Sequence, residues 1–192
     1  MKKNFLQGLK RTIFIREGSV AIEFALLIMP YLMLVFAILE IALSFTAEQI
    51  FENTTYEIAR KIRTGQINKS QVPSLKDFRN LVCKDLKVFF DCSPGEINNP
   101  YDFYLDVRQI KSLYDIPMKI PRKGVEFDSE IDDKDFDFAP GGARTYNVLR
   151  AFYHWPLYTD FMRQYISSVR HPGKKGDFLI MSVVAFKNEP FA

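Results

Sequence analysis

Histidine and cysteine are scarce in this chain, with two of each among 192 residues. The cysteines, Cys83 and Cys92, do not form a CxxC pair and have no histidine near them, so the spacing of a zinc module is absent. The two histidines stand apart from one another. His154 precedes Trp155-Pro156 at what reads as a strand end and is taken as structural, and His171 lies in a basic loop. HExxH, GxSxG and phosphate-loop motifs are missing, and with them the common catalytic constellations, so no enzymatic activity is expected. A large excess of one charge is missing too. Lys and Arg number 26 against 23 Asp and Glu, a net charge of +3, and no basic patch interleaves with aromatics, so no nucleic-acid partner is expected. The chain has no internal repeat and no low-complexity linker.

What is present is a long apolar run behind a basic leader. Val20 to Leu39 holds a single charge, Glu23, and apolar character resumes past Glu40 in Ile41, Ala42, Leu43 and Phe45. About 20 such residues at 1.5 Å each cross a hydrocarbon core of roughly 30 Å. A soluble helix of this length needs a polar face, which this one lacks. Secretory h-regions run to about 7–15 residues, so a signal peptide cleaved after the run, near Ala42-Leu43-Ser44, fits poorly. Lys2, Lys3, Lys10, Arg11 and Arg16 precede the run. Glu48, Glu52 and Glu57 follow it, with no base before Arg60. Lys and Arg favour the cytoplasmic side, which places the N-terminus inside and the rest of the chain outside. In that oxidising setting a Cys83–Cys92 disulfide is the favoured reading; in the cytoplasm the same residues would be two buried thiols. Pro30, in the middle of the span, is read as a structural kink.

Glu23 is the informative residue. A carboxylate at the centre of a membrane helix costs roughly 2.5–3.5 kcal/mol, but Glu23 lies near the cytoplasmic edge, where the positive end of the helix dipole favours an acid. On charge alone it reads equally as a snorkelling interfacial residue. Its context is Arg16-Glu17-Gly18-Ser19-Val20-Ala21-Ile22-Glu23-Phe24: a basic leader ending in glycine, four residues, then glutamate and an aromatic. This resembles the cleavage signature of type IV prepilins, above all the Flp or tight-adherence branch. The resemblance implies cutting between Gly18 and Ser19 by a membrane prepilin peptidase, so that Glu23 becomes the fifth residue of the mature chain. The new amine on Ser19 and the Glu23 carboxylate are then about one helical turn apart. Between neighbouring subunits such a pair attracts strongly in low dielectric, and a mismatch leaves a charge unpaired, so the pair sets register.

The continuation through Ala25-Leu26-Leu27 to Pro30 closely resembles the TadE-like proteins of tight-adherence pilus systems. Ala185-Phe186-Lys187-Asn188-Glu189-Pro190-Phe191 is similar to the closing strand of many members, and His154-Trp155-Pro156-Leu157 to their penultimate strand and bend. The likeness is strong over 16–45, moderate over 145–192 and weak between. It implies a minor pilin or pseudopilin of the bacterial inner membrane, single-pass, with its C-terminal domain in the periplasm or carried into the pilus. The implied partners are the prepilin peptidase, other pilus-assembly pilins or pseudopilins, an inner-membrane platform and membrane lipid. No cofactor is implied.

The expected organisation is a leader over 1–18, a transmembrane helix over 19–45 and an exported pilin-like domain over 46–192. Ala47, Ile50, Phe51, Thr54, Ile58 and Ile62 continue the helix amphipathically to about residue 64, Gly65 stops it, and Glu57 can pair with Lys61. The alternative is two helices broken near 40–46. A second helix is expected over 74–90, with Ser74 as its cap, a stripe of Leu75, Phe78, Leu81, Val82, Leu86 and Phe89, and a turn at Ser93-Pro94-Gly95. Strands are expected over 102–109, 144–155 and 177–187, the last apolar on both faces and so central, with a short helix over 158–169 before it. The fold class is α+β: a long N-terminal helix, transmembrane then amphipathic, packed on a small, mostly antiparallel sheet.

Residues 126–137 are acidic. Asp133, Asp135 and Asp137 have the spacing that opens a calcium loop, but Phe138 stands where glycine is needed and Arg144 where a bidentate glutamate is needed. A solvated loop, or a surface for a basic partner, fits better. Phe127, Ile131, Phe136 and Phe138 interleave the acids and predict that the loop packs against the body.

Overall fold

The computed structural model describes residues 16–117 and 119–190. The basic residues Lys2, Lys3, Lys10 and Arg11 of the expected leader, and Phe191 of the closing segment, lie outside the described residues. The chain forms two compact units, divided between Ala42 and Leu43.

A single helix, α1 (Arg16–Arg63), replaces the alternative of two broken helices, and Pro30 lies within it. In the first unit α1 exposes Val20, Phe24, Leu27, Met29, Met33 and Phe36. Apolar side chains all round a helix are stable in lipid rather than in water. Among the described residues this is one helix long and apolar enough to cross a membrane.

In the second unit the last turns of α1 become amphipathic. Ala47, Phe51, Ile58, Ala59 and Ile62 are buried in the main core. Thr55 is buried as well, its hydroxyl donating to the Phe51 carbonyl at 2.7 Å. Gly65 stops the helix as expected. It takes φ +76°, a conformation that glycine adopts without a Cβ penalty, and its N–H reaches the Ile62 carbonyl at 3.0 Å. The expected Glu57–Lys61 pair does not form. Glu57 binds Arg60 at 3.0 Å, and Lys61 turns to Asp85 on the next helix at 3.6 Å.

That helix, α2 (Leu75–Leu86), is capped by Ser74, whose hydroxyl accepts from the Asp77 N–H at 3.2 Å. It ends four residues before the sequence pattern suggests. Phe89 is therefore exposed, and Phe90 takes the buried position. A disulfide joins Cys83 on α2 to Cys92, nine residues on. Ser93-Pro94-Gly95, expected as a turn, instead starts a short helix, α3 (Pro94–Asn98), with Ser93 as cap and proline at its first position.

The sheet contains β1 (Phe103–Ile110), β2 (Phe138–Ala139), β3 (Tyr146–Trp155), β4 (Val169–Arg170) and β5 (Gly176–Lys187), in the order β2-β1-β3-β5-β4. Among the described residues only β1 and β2 pair in parallel; the other three strand pairings are antiparallel. A seven-residue helix, α4 (Asp160–Ile166), precedes β4. The fold is α+β, as expected, with two corrections. The strand buried along its length is β3, not β5, because β5 has only the two-residue β4 on its outer side. Arg144 does not begin β3 but occupies the preceding turn at φ +64°.

The sheet is covered on both faces. Phe103, Leu105 and Val107 of β1 and Leu149, Ala151 and Tyr153 of β3 face α1 and α2 in the main core. Tyr104 and Phe152 point the other way, into a second cluster with Ile131, Val169 and Leu179, flanked by Ile120 and Phe136. The acidic stretch supplies this second cover through Ile131 and Phe136. Phe138, just beyond it, is also fully buried, but in the main core against Phe78, while Phe127 stays exposed.

Candidate functional site

Two places in the molecule are candidates for functional chemistry. The first is the start of α1. Gly18 and Ser19 fall in its first turns, and Glu23 and Phe24 follow on the same helix with exposed side chains. Helical geometry puts residues 19 and 23 one turn apart on one face, the relation that the expected subunit pairing needs.

The second was not foreseen. His154 and His171, apparently isolated in sequence, meet at the far end of the sheet. The β1–β3 register pairs Phe103 with Tyr153, so Asp102 and His154 face each other one step beyond, and the His154 N–H donates to the Asp102 carbonyl at 3.0 Å. His171 immediately follows β4, which β5 holds in place. His154 Nδ1 and His171 Nε2 are 2.8 Å apart. Asp102 Oδ1 is 3.1 Å from His171 Nε2 and 3.8 Å from His154 Nδ1. Among the described residues these three form the group of acids and imidazoles whose ligand atoms converge, all within 4.8 Å of one another; Asp133, Asp135 and Asp137 are not part of it. The Asp133 carbonyl accepts from the Phe136 N–H, the Asp135 carbonyl from Arg108, and Asp137 Oδ1 from the Phe138 N–H.

The surroundings hold this group firmly. Glu96 on α3 accepts three successive backbone N–H groups, from Tyr101, Asp102 and Phe103, at 2.9, 2.8 and 2.7 Å, which fixes the segment that presents Asp102. Tyr101 stacks on the His171 ring at 3.7 Å. Glu130, from the acidic stretch, places Oε1 3.3 Å from His171 Nδ1. Its other oxygen pairs with Lys123 at 3.1 Å. His154 and His171 are 2% and 1% exposed, whereas the Asp102 side chain is 29% exposed and opens the group to solvent. Burial, and next the neighbouring His171, lower the His154 pKa to about 4, against the pull of Asp102 and Glu130. The Asp177 carboxyl is raised by burial and then by Asp102.

Sequence reasoning missed this cluster because its members are 52 and 17 residues apart, and only strand register brings them together. The one available signal was two histidines close to strand ends in the same half of the chain.

Residues 18–60 match the family model described as TadE-like protein. No curated protein matches the chain, and no solved structure does. The TadE-like segment thus begins at Gly18 and covers nearly the whole of α1. The match associates this segment of the chain with TadE-like, pilus-related proteins.

Proposed function

We propose that this chain is a minor pilin or pseudopilin of a tight-adherence type IV pilus, inserted in the inner membrane by α1 and processed between Gly18 and Ser19. The observation that carries this reading is a coincidence of position: the TadE-like match starts at Gly18, and Glu23, the fifth residue after it, stands at the head of a helix able to span a bilayer. The N-terminus faces the cytoplasm and the second unit the periplasm, in keeping with the basic residues before the span and the acidic ones after it. The disulfide suits an oxidising compartment. The partners are a prepilin peptidase, other pilins or pseudopilins, and the inner-membrane platform. In assembly, the Ser19 amine of one subunit meets the Glu23 carboxylate of its neighbour.

The competing reading is an unprocessed single-span anchor presenting the second unit to another envelope complex. The intact mass of the membrane-bound protein, expressed with and without its cognate prepilin peptidase, separates the two. Loss of residues 1–18 only with the peptidase supports the pilin reading, and Gly18→Arg then blocks the loss. An unchanged mass in both strains overturns it and favours the permanent anchor.

A further inference from the structure

We infer that Asp102, His154 and His171 form a binding site for one zinc-class divalent ion, which ties the start of β1, the end of β3 and the loop after β4 into one unit. The ligand atoms are Asp102 Oδ1, His154 Nδ1 and His171 Nε2, and their separations of 3.8, 3.1 and 2.8 Å outline a triangle. Zinc–nitrogen and zinc–oxygen bonds of about 2.0–2.2 Å in a tetrahedron put ligand atoms ~3.4 Å apart, so the triangle is one face of such a tetrahedron with small adjustments.

Proton accounting supports the same reading. Two ring nitrogens and a carboxylate oxygen face one another, and neutral imidazoles offer at most one proton each. If His171 carries its proton on Nδ1 to meet Glu130, its Nε2 lone pair faces the Asp102 carboxylate. If it carries the proton on Nε2, its Nδ1 lone pair faces Glu130 instead. Either a second proton on His171 or a cation within the triangle removes the conflict, and the cation also accounts for the approach of His154 Nδ1: both histidines then coordinate as neutral rings, and His171 donates its Nδ1 proton to Glu130. That is the carboxylate–histidine–metal arrangement by which outer partners fix a ligand's tautomer. His154 Nε2 is independently anomalous. It is buried with no hydrogen-bond partner, which leaves Nδ1 as the side of the ring that carries the interaction.

Donor chemistry selects the ion. Two imidazoles disfavour calcium and magnesium, which take oxygen, and suit zinc and its neighbours. The carboxylates of Asp102, Glu130 and Asp177 surround the site with negative charge, offset in part by Lys123 on Glu130 and by Lys174 over the Tyr101 ring. The fourth position lies on the solvent side, beside the partly exposed Asp102, and takes water. An open cavity of about 340 Å³, lined by Lys123, Glu130, Arg170 and His171 among others, adjoins the triad. The ion acts as a structural clip because its three ligands come from separate segments of the chain. It joins segments that the sheet hydrogen bonds alone leave at the periphery.

The test uses the untagged full chain in detergent, stripped of metal and titrated with ZnCl2, with metal content, unfolding midpoint and the visible spectrum of the Co2+ form as readouts. One zinc per chain, a raised midpoint and a four-coordinate Co2+ spectrum are expected. Glu130→Gln weakens binding roughly 10- to 100-fold. His171→Ala and Asp102→Asn weaken it further and alter the spectrum, and Asp102→Asn covers the case in which the histidine variant fails to fold. Asp133→Asn and Asp135→Asn leave binding unchanged. Absence of zinc binding at micromolar concentrations, or equal binding by wild type and the Asp102→Asn variant, overturns the proposal.

Discussion

Asp106 and Arg150 lie directly opposite one another on β1 and β3, and Arg150 Nε and Nη2 both donate to Asp106 Oδ2, at 2.9 and 2.7 Å. Asp106 is fully buried and Arg150 nearly so. Arg108 adds a second fork to the same carboxylate, at 2.9 Å through Nε and 2.7 Å through Nη2, and the Arg150 guanidinium lies over the Phe136 ring. A charge held this way is costly to strand. Asp106→Ala leaves Arg150 buried without its partner and is expected to destabilise the fold by about 3–5 kcal/mol, measured by chemical denaturation. Glu57→Ala, which breaks an exposed pair, is the comparison and changes stability by less than ~1 kcal/mol.

Phe51 anchors the second part of α1 to the sheet. It is 1% exposed and meets the rings of Phe90, Phe103 and Tyr153 at 5.4, 6.1 and 6.4 Å. Phe51→Ala is expected to cost about 3–5 kcal/mol and to increase proteolysis around residues 50–63, whereas Phe45→Ala, at an exposed position, leaves unfolding unchanged.

The Cys83–Cys92 bridge closes a short loop at the end of α2. The double substitution to serine is expected to lower stability by about 2–4 kcal/mol, read from denaturation midpoints of the oxidised wild type and the variant.

Alkaline pH tests the main core. Burial pushes the Tyr153 phenol up to about 12, while the hydrogen bond from the Asp91 N–H acts in the opposite direction. Between about pH 10 and 12 an unfolded tyrosine releases its proton and the buried one keeps it, so the folded state binds more protons and stability falls as pH rises. The loss reaches about 2–3 kcal/mol by pH 12 relative to Tyr153→Phe, whose profile is flatter.

Glu96 links the fold to the histidine cluster through its three backbone hydrogen bonds around Asp102. Glu96→Ala is expected to cost roughly 2 kcal/mol or more, because one buried and two partly buried N–H groups lose their shared acceptor. If the cluster holds zinc, the same change also lowers zinc affinity, measured by competition with a chelator, because Asp102 is no longer fixed in place.

The sequence by itself determined what local pattern can determine. The run from 20 to 39, apolar but for Glu23 near its start, made a membrane-compatible helix, since a helix apolar all round has no stable place in water. Helical spacing from Ala47 to Ile62 marked the face that meets the sheet, Ser74 and Gly65 marked helix ends, and interleaved Ile131 and Phe136 showed that an acidic stretch would cover apolar surface. The pattern of Gly18, Glu23 and Phe24 is local, so it can be read along the chain, and the TadE-like match begins at Gly18; the cleavage it suggests belongs to the proposal. Tertiary structure alone decided the rest. Strand order made β3 the buried centre, because neighbours rather than composition set a strand's exposure. Packing from both sides buried Asp106 and Arg150 at positions that alternation marks as polar and outward. Register and the β4–β5 pairing brought Asp102, His154 and His171 within bonding distance, a convergence that leaves no trace in spacing because each residue comes from a different pass of the chain.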